Sequence, residues 1–454
     1  MIIMKFGGTS IGSASQIQKV AEIITSHVHK QPLIVISAFS GITNLLVTLS
    51  ERAASGQIFD TTAYRLRHER VMQELDLPQS LLLQEYDELD SLLKGVSLLR
   101  ECSARTKDRI LAFGEEASAK IVGHYLKRKL VSSIKIVSAY NLGLITNSDF
   151  GKATPTSLEL IPEKMSLFEN EIVVTTGFIA KDILGNITTL GRNGSDYSAA
   201  LFGAALQVEE VQIWKDVSGL MTANPNLIPD ASPVTELSFE EAAELAYYGA
   251  KVLHPSTILP LVQKNIPVRI LNTNAPMDPG TLIYNNKVQQ HGSVKSIAHR
   301  SGLVIINITS TRMLAQHGFL SKIFNLFSSH QIIIDMVSTS EVSVSLTTEE
   351  GQIFDGLLSE LQNFADISFE NGFSVISIVG EGVREDPSVT AKAFSILYQS
   401  EIPVRMISMG ASKINLSIII ENTYLKPALR ALHSNFFPLE NKQIEGREAE
   451  PPLL

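Results

Sequence analysis

Met1-Ile2-Ile3-Met4-Lys5-Phe6-Gly7-Gly8-Thr9-Ser10 opens the chain: an apolar run, a lysine, two adjacent glycines and two hydroxyls. The run Ile2–Phe6 reads as a buried strand, and the amphipathic stretch Ser15–Ser26 that follows reads as a helix. A glycine pair at such a strand-to-helix junction lets the backbone approach a ligand, the helix start favours phosphate, and Lys5 adds a point charge. The P-loop pattern G-x-x-x-x-G-K-[ST] is absent, and the bland alternative is a glycine turn beside a surface lysine.

Outward from this stretch the same rhythm repeats. Leu33–Ser37, Lys135–Ser138, Ile172–Thr175, Glu210–Lys215 and Val268–Leu271 are further strand candidates, and Asp108–Lys129 is a long amphipathic helix. The alternation predicts an α/β fold with a mostly parallel sheet sandwiched by helices. Thr61–Glu101, rich in Leu, Glu and Arg, reads as an all-helical insertion. The pattern breaks in the polar run Asn285–Ser293.

Beyond it a second pattern begins. Strands are expected at Leu303–Thr309, Ile332–Val337, Val342–Thr347, Ile367–Glu370, Ser374–Val379, Val404–Ser408 and Ile414–Ile420. Helices are expected at Gln316–Ser329, Phe354–Phe364, Thr390–Ser400 and Tyr424–Asn435. This is βαββαβ followed by most of a second βαββαβ, the ferredoxin-like arrangement, with a loose tail from Glu448.

Composition narrows the function classes. The 454 residues suggest about three domains. A net charge of −9 argues against a nucleic-acid binder but leaves room for a few lysines to hold an anion. The one cysteine, Cys102, excludes an intrachain disulfide framework, fits a reducing cytosol and carries no sign of catalysis. The N-terminus shows no targeting pattern and no run approaches the ~20 apolar residues of a membrane span, so a cytoplasmic protein is expected.

Further polar clusters sit at strand ends, where open α/β sheets meet their ligands. Ser37-Ala38-Phe39-Ser40-Gly41-Ile42-Thr43-Asn44 suits a polar ligand, or is an ordinary capped loop. In Gly114-Glu115-Glu116 a carboxylate could take an ammonium, or the pair is simply solvated. Gly191-Arg192-Asn193-Gly194-Ser195-Asp196 suits bidentate capture of a carboxylate, with Ser195 or Asp196 as a helix cap in the alternative. Trp214-Lys215-Asp216-Val217-Ser218-Gly219 closes another strand. Lys251, in Gly249-Ala250-Lys251-Val252-Leu253-His254-Pro255, could be a second phosphate clamp or a cation at a helix end. His254 has no second histidine at ligand spacing and reads as structural, so no protein metal site is expected.

Taken in order, these six motifs resemble those of the aspartokinases, in the amino-acid kinase superfamily. The second half resembles the monofunctional lysine-sensitive class through Met313–Leu320, Ile334–Ser343, Arg405–Ser412 and Leu432–Asn435. The resemblance implies a kinase domain at 1–285, a linker at 286–302 and ACT domains at 303–372 and 373–448. It implies transfer of the γ-phosphoryl of ATP to the β-carboxylate of L-aspartate, with Mg²⁺ held mainly through the ATP phosphates and water. Lys5 and Lys251 would meet the phosphates, Gly7 and Gly8 would cradle them, and Asp196 would orient Lys5. Lys215 and Asp216 would lie at the nucleotide. Ser37, Thr43, Glu115, Arg192 and Ser195 would hold aspartate. Met313, Gln316, Phe319, Leu320, Ile334, Asp335, Ser340 and Glu341 would line an L-lysine site between ACT domains of a homodimer, which could assemble further into a tetramer.

The chain departs from the family pattern where Y-x-x-D-P-R usually stands. It reads Met221-Thr222-Ala223-Asn224-Pro225-Asn226. The ring expected near the base is Met221, the usual aspartate is Asn224, and the arginine expected near the phosphates is Asn226, which should weaken ATP binding. Asn193 replaces a usual glycine, a mild change if the position is left-handed. Two rivals remain: a kinase for another acceptor such as glutamate, and a lysine-binding regulator whose kinase half has decayed.

Overall fold

A computed structural model describes residues 1–130, 132–249, 253–285, 294–313, 317–352, 355–409 and 413–438. The chain forms two compact units, one of Met1–Leu220 with Pro233–Lys287, the other of Met221–Ser232 with Val288–Leu454. Among the described residues no helix is long and apolar enough to cross a membrane.

The first unit is built on an eight-stranded sheet. Its strand order is Glu236–Ser238, Thr281–Tyr284, Val268–Asn272, Glu210–Lys215, Ile2–Phe6, Leu33–Ile36, Ile172–Thr176 and Ile134–Ile136. All neighbours are parallel except Val268–Asn272 with Thr281–Tyr284. Ile2–Phe6 is central and buried at every position, as an apolar run covered on both faces must be. The chain first builds outward on one side of it, through Leu33–Ile36, then returns to the other side at Glu210–Lys215. The carboxyl end of Ile2–Phe6 is thus a topological switch point, where such sheets leave a crevice.

The helical stretch expected as an insertion forms Thr62–Glu74 and Leu83–Leu99, but it is no separate body. Tyr64, Met72, Tyr86, Leu89 and Leu93 share one apolar core with Met4, Phe6, Ile34 and Ile36. The unit also holds a small four-stranded sheet, not among the expected elements, of Pro155–Ser157, Ile145–Thr146, Ile179–Asp182 and Ile187–Thr189. Its strands have two to four residues, too short to show a period of two.

The second unit contains a six-stranded antiparallel sheet in the order Met336–Thr339, Ser343–Glu349, Ser296–Thr309, Asp366–Val379, Asn415–Glu421 and Met406–Ser408. Helices Phe319–Ser329 and Asp355–Gln362 belong to the first ferredoxin-like half, Pro387–Gln399 and Leu425–Phe436 to the second. Two expectations change here. The stretch expected as linker through residue 302 becomes strand at Ser296, because Ser296–Ser301 pairs with Ser374–Val379. That pairing supplies the strand the second half lacked in sequence, and Ile297 enters its core with Ile376, Ile378 and Leu432. Residues 286–293 of the expected linker lie outside the described residues. Gly302, at φ +77°, sits where the register shifts between Ser301 and Leu303, so one strand runs through both halves. The strand expected at Ile332–Val337 starts only at Met336. Ile332 turns into the core beside Phe319, Ile323 and Phe327 instead.

Candidate active site

The carboxyl ends of the central strands open into a cleft of about 840 Å³. Lys5, Gly7, Gly8, Ser37, Thr43, Glu115, Arg192, Ser195, Asp196, Lys215 and Asp216 all line it. Eleven expected site residues scattered over two hundred positions are therefore brought to one place by the strand order.

Lys5 is the penultimate residue of the strand Ile2–Phe6, yet its side chain is only 7% exposed. It survives burial because its Nζ lies 2.6 Å from Asp196 Oδ1. Lys215, from the adjacent strand, reaches the other oxygen, Asp196 Oδ2, at 3.2 Å. Burial alone would raise the Asp196 carboxyl; the two ammonium groups overcome this and hold it below its ordinary range. One carboxylate thus fixes two ammonium groups beside the glycine pair and leaves the trio with a surplus positive charge.

Gly8 has a steric reason for its identity. A Cβ there would stand 2.5 Å from the Ala38 carbonyl oxygen and 3.0 Å from Ser40 N. The close approach lets Ser40 N–H donate to Gly8 O at 3.2 Å, joining the first two motif loops. The same Cβ on Gly7 would meet only ordinary contacts, 3.7 Å from Lys5 Nζ and from Trp214 O.

Helix Ala104–Lys129 forms another wall. Ser118 Oγ donates to Ser37 O at 2.6 Å, and Ala38 N–H donates to Glu115 Oε1 at 3.2 Å, so the helix holds the Ser37 loop by its backbone. Glu115 is 3% exposed, and its second oxygen, Oε2, is buried without a hydrogen-bond partner among the described residues. Burial pushes its carboxyl up to about 8; the Ala38 N–H and the Lys5 charge only partly offset this. Glu116 faces elsewhere: it accepts from Arg109 Nη1 at 2.8 Å and from the Tyr140 hydroxyl at 3.1 Å. The solvated-pair alternative for these two glutamates therefore fails.

The loop before helix Gly194–Leu206 presents an exposed Arg192 and a half-buried Ser195 to the cleft. Asn193 takes φ 57° and ψ 23°, left-handed, a conformation asparagine tolerates. Asp108, not among the residues expected at the site, also lines the cleft.

Met221 and Asn226 are the two further residues expected at the nucleotide. Both lie on Met221–Ser232, a segment that belongs to the second unit. Ala223 and Ile228 enter the apolar core there, and Ile297 N–H donates to Thr222 O at 2.8 Å. Lys251 and Gln316 lie outside the described residues. Cys102 is half-buried and its thiol is pushed up by burial, away from reactivity. Among the described residues no three His, Cys, Asp or Glu side chains gather as metal ligands.

The residues expected to meet lysine divide into three environments. Phe319 is core, with Met313 and Ile334 packed against the same cluster. Leu320, Ser340 and Glu341 are exposed. Asp335 is 5% exposed in its side chain and forms an ion pair with Arg300, whose other nitrogen is 3.7 Å from Glu349. Arg300 was missed because it lies in the stretch read as linker.

A family model described as "Amino acid kinase family" matches residues 1–272, and one described as "ACT domain" matches residues 376–436. The chain is 36% identical to Aspartokinase 1, chloroplastic, of Arabidopsis thaliana, over 96% of this chain and 80% of that one. The crystal structure of E. coli aspartokinase III in complex with aspartate and ADP, in its R-state, superposes with a TM-score of 0.78 at 31% identity, covering 96% of this chain and all of that one. The same enzyme with lysine and aspartate, in its T-state, gives 0.77 at 31% identity, over 96% and 99%.

Proposed function

The chain belongs to the aspartokinase family and is an aspartate kinase, and we propose how its cleft transfers the γ-phosphoryl of ATP to the β-carboxylate of L-aspartate. The observation that carries the reading is the buried Lys5–Asp196–Lys215 trio beside Gly7 and Gly8, in one cleft with Arg192, Ser195 and Glu115.

The nucleophile needs no activation, since an aspartate side chain has a pKa of about 3.9 and is ionised at neutral pH. The obstacle is repulsion between that carboxylate and the polyanionic phosphate. Catalysis here is positioning and charge neutralisation. Lys5 and Lys215 act on the phosphate side, held by Asp196, with Lys251 as a further clamp. Arg192 and Ser195 take a substrate carboxylate, and Ser37 and Thr43 border the acceptor. Glu115 takes the ammonium, which its unpartnered Oε2 is suited to receive. Magnesium usually arrives on nucleotide phosphates with one or two carboxylates and several waters, and the acidic side chain on hand at the nucleotide is Asp216. When bound, Mg²⁺ supplies further neutralisation of the phosphates.

The regulatory reading is lysine feedback, on a homodimer joined through the ACT domains, in the cytoplasm. Asp335 answers the ε-ammonium of lysine, in competition with Arg300, and Met313, Gln316, Phe319, Leu320, Ile334, Ser340 and Glu341 complete the site. Feedback requires different lysine affinity in two states of the enzyme.

Trapping the acyl phosphate with hydroxylamine tests the reaction. The expected result is ATP-dependent hydroxamate from L-aspartate and little from L-glutamate. Preference for glutamate, or no hydroxamate with either, would overturn it.

A further inference from the structure

Asp108 is buried in a wall of the substrate cleft, 1% exposed, on the helix that carries Glu115 two turns further on. Buried carboxylates of this kind need a reason, since desolvation opposes them. Its two oxygens accept three hydrogen bonds from two other segments. Gly151 N–H donates to Oδ2 at 2.9 Å, Thr189 N–H donates to Oδ2 at 2.8 Å, and the Thr189 hydroxyl donates to Oδ1 at 2.9 Å. Thr189 ends the strand that leads directly into Gly191, Arg192 and Asn193. Gly151 belongs to a loop that also backs this turn: a Cβ on Gly191 would be 3.2 Å from Gly151 O, and Ala153 N–H donates to Thr189 O at 2.9 Å.

One carboxylate therefore ties three pieces of the site together: the helix bearing Glu115, the loop bearing Phe150 and Gly151, and the strand that delivers Arg192. Both oxygens are committed to these donors, so Asp108 acts through them rather than on a ligand.

We propose that Asp108 is a positioning residue for the amino-acid substrate, fixing Arg192 relative to Glu115 so that the substrate carboxylate and ammonium are met at once. The proposal rests on the aspartate kinase reading of the cleft. It concerns the acceptor half only: Lys5, Gly7, Lys215 and Asp216 stand on, or directly after, the strands Ile2–Phe6 and Glu210–Lys215 and receive no hydrogen bond from Asp108.

The test is steady-state kinetics of the full-length enzyme with hydroxylamine trapping, varying aspartate and ATP separately. Asp108→Ala is expected to raise the aspartate KM about tenfold or more, leave kcat within about threefold and leave the ATP KM unchanged. Asp108→Asn should restore much of the aspartate KM, because an amide can accept both N–H groups with its oxygen and donate to the Thr189 hydroxyl with its nitrogen. Thr189→Val, which removes one bond of the three and keeps its backbone N–H, should give a smaller shift of the same kind and serves if the alanine variant does not fold. A fall in kcat with both KM values unchanged in these variants means a purely structural role and overturns the proposal. So does an equal rise in both KM values. If the wild-type enzyme forms hydroxamate from aspartate while these variants match it, this proposal fails and the kinase reading stands. If the wild type forms none, both fail.

Discussion

Glu115→Gln combined with a pH series probes the substrate site most sharply. Glu115 lies fully buried with one hydrogen bond from Ala38 N–H, and its carboxyl is pushed up to about 8 in the unliganded cleft. The charged groups around it are Lys5, which lowers it, and Glu116, which raises it; the Ser37–Asn44 loop brings none. Aspartate brings an ammonium, which favours the ionised form, so binding draws on the ionised fraction. Apparent affinity then scales with that fraction, and with a value of about 8 it should rise about 50-fold from pH 6 to pH 8. Below pH 7 close to one proton should leave per aspartate bound, visible as a dependence of calorimetric enthalpy on the buffer's ionisation enthalpy. The Gln variant should bind more weakly, with no such pH dependence and no proton release.

The same shift has a consequence for stability. The folded value lies above the ordinary 4.5, so the unfolded chain ionises first as pH rises. Stability is full below about pH 4.5 and declines up to about pH 8. Relative to Glu115→Gln, the unliganded wild type should lose roughly 3.5 kcal/mol between pH 5 and pH 8, at 1.36 kcal/mol per unit. Denaturant melts of both proteins at pH 5 and pH 8 measure it. An aspartate affinity that is flat from pH 6 to 8, with no proton released, would refute the reasoning.

Three further outcomes are expected. Asp335→Ala should relieve inhibition by L-lysine in a lysine titration of activity; inhibition by threonine alone would reassign the effector. Asn226→Arg should lower the ATP KM if that segment meets the phosphates, and an unchanged KM would remove the residue from the nucleotide site. His68 is buried against Phe39 with ring centroids 5.1 Å apart, and burial pushes it down to about 4, so the folded protein holds it neutral. Its contribution is present above about pH 6.5 and falls by roughly 3 kcal/mol toward pH 4, and His68→Phe should flatten that loss in denaturant melts at pH 4 and 7.

Much of this was legible in the chain. Ile2–Phe6 and Glu210–Lys215 are visible to the residue, because a short cluster of Ile, Val, Met, Phe and Trp between polar or glycine-rich flanks marks a central strand even where a lysine or glutamine interrupts it. Most cleft residues were legible because they stand at or just beyond a strand end or in a first helical turn, where small and polar residues interrupt apolar segments; Glu115, in the middle of helix Ala104–Lys129, was marked only by its acidic pair beside glycine. Ser296–Ser301 was not, because His299 and Arg300 interrupt its pattern and its pairing partner lies some eighty residues on. Asp108 was hidden for a different reason. An acidic residue in the first turns of a helix is ordinary helix chemistry, and only the approach of Gly151 and Thr189 shows its use. Arg300 escaped in the same way, since nothing local indicates that Asp335 will be its partner.

The central claim is that Lys5, held by Asp196, neutralises charge on the transferring phosphoryl group rather than binding the acceptor. Single-turnover phosphoryl transfer by Lys5→Ala, with aspartate affinity measured in parallel by calorimetry, tests it most directly. Loss of at least about a thousandfold in the transfer rate, with aspartate affinity kept within a few-fold, is the expected result. Transfer at the wild-type rate, or loss of aspartate binding in proportion to the loss of rate, would contradict the account.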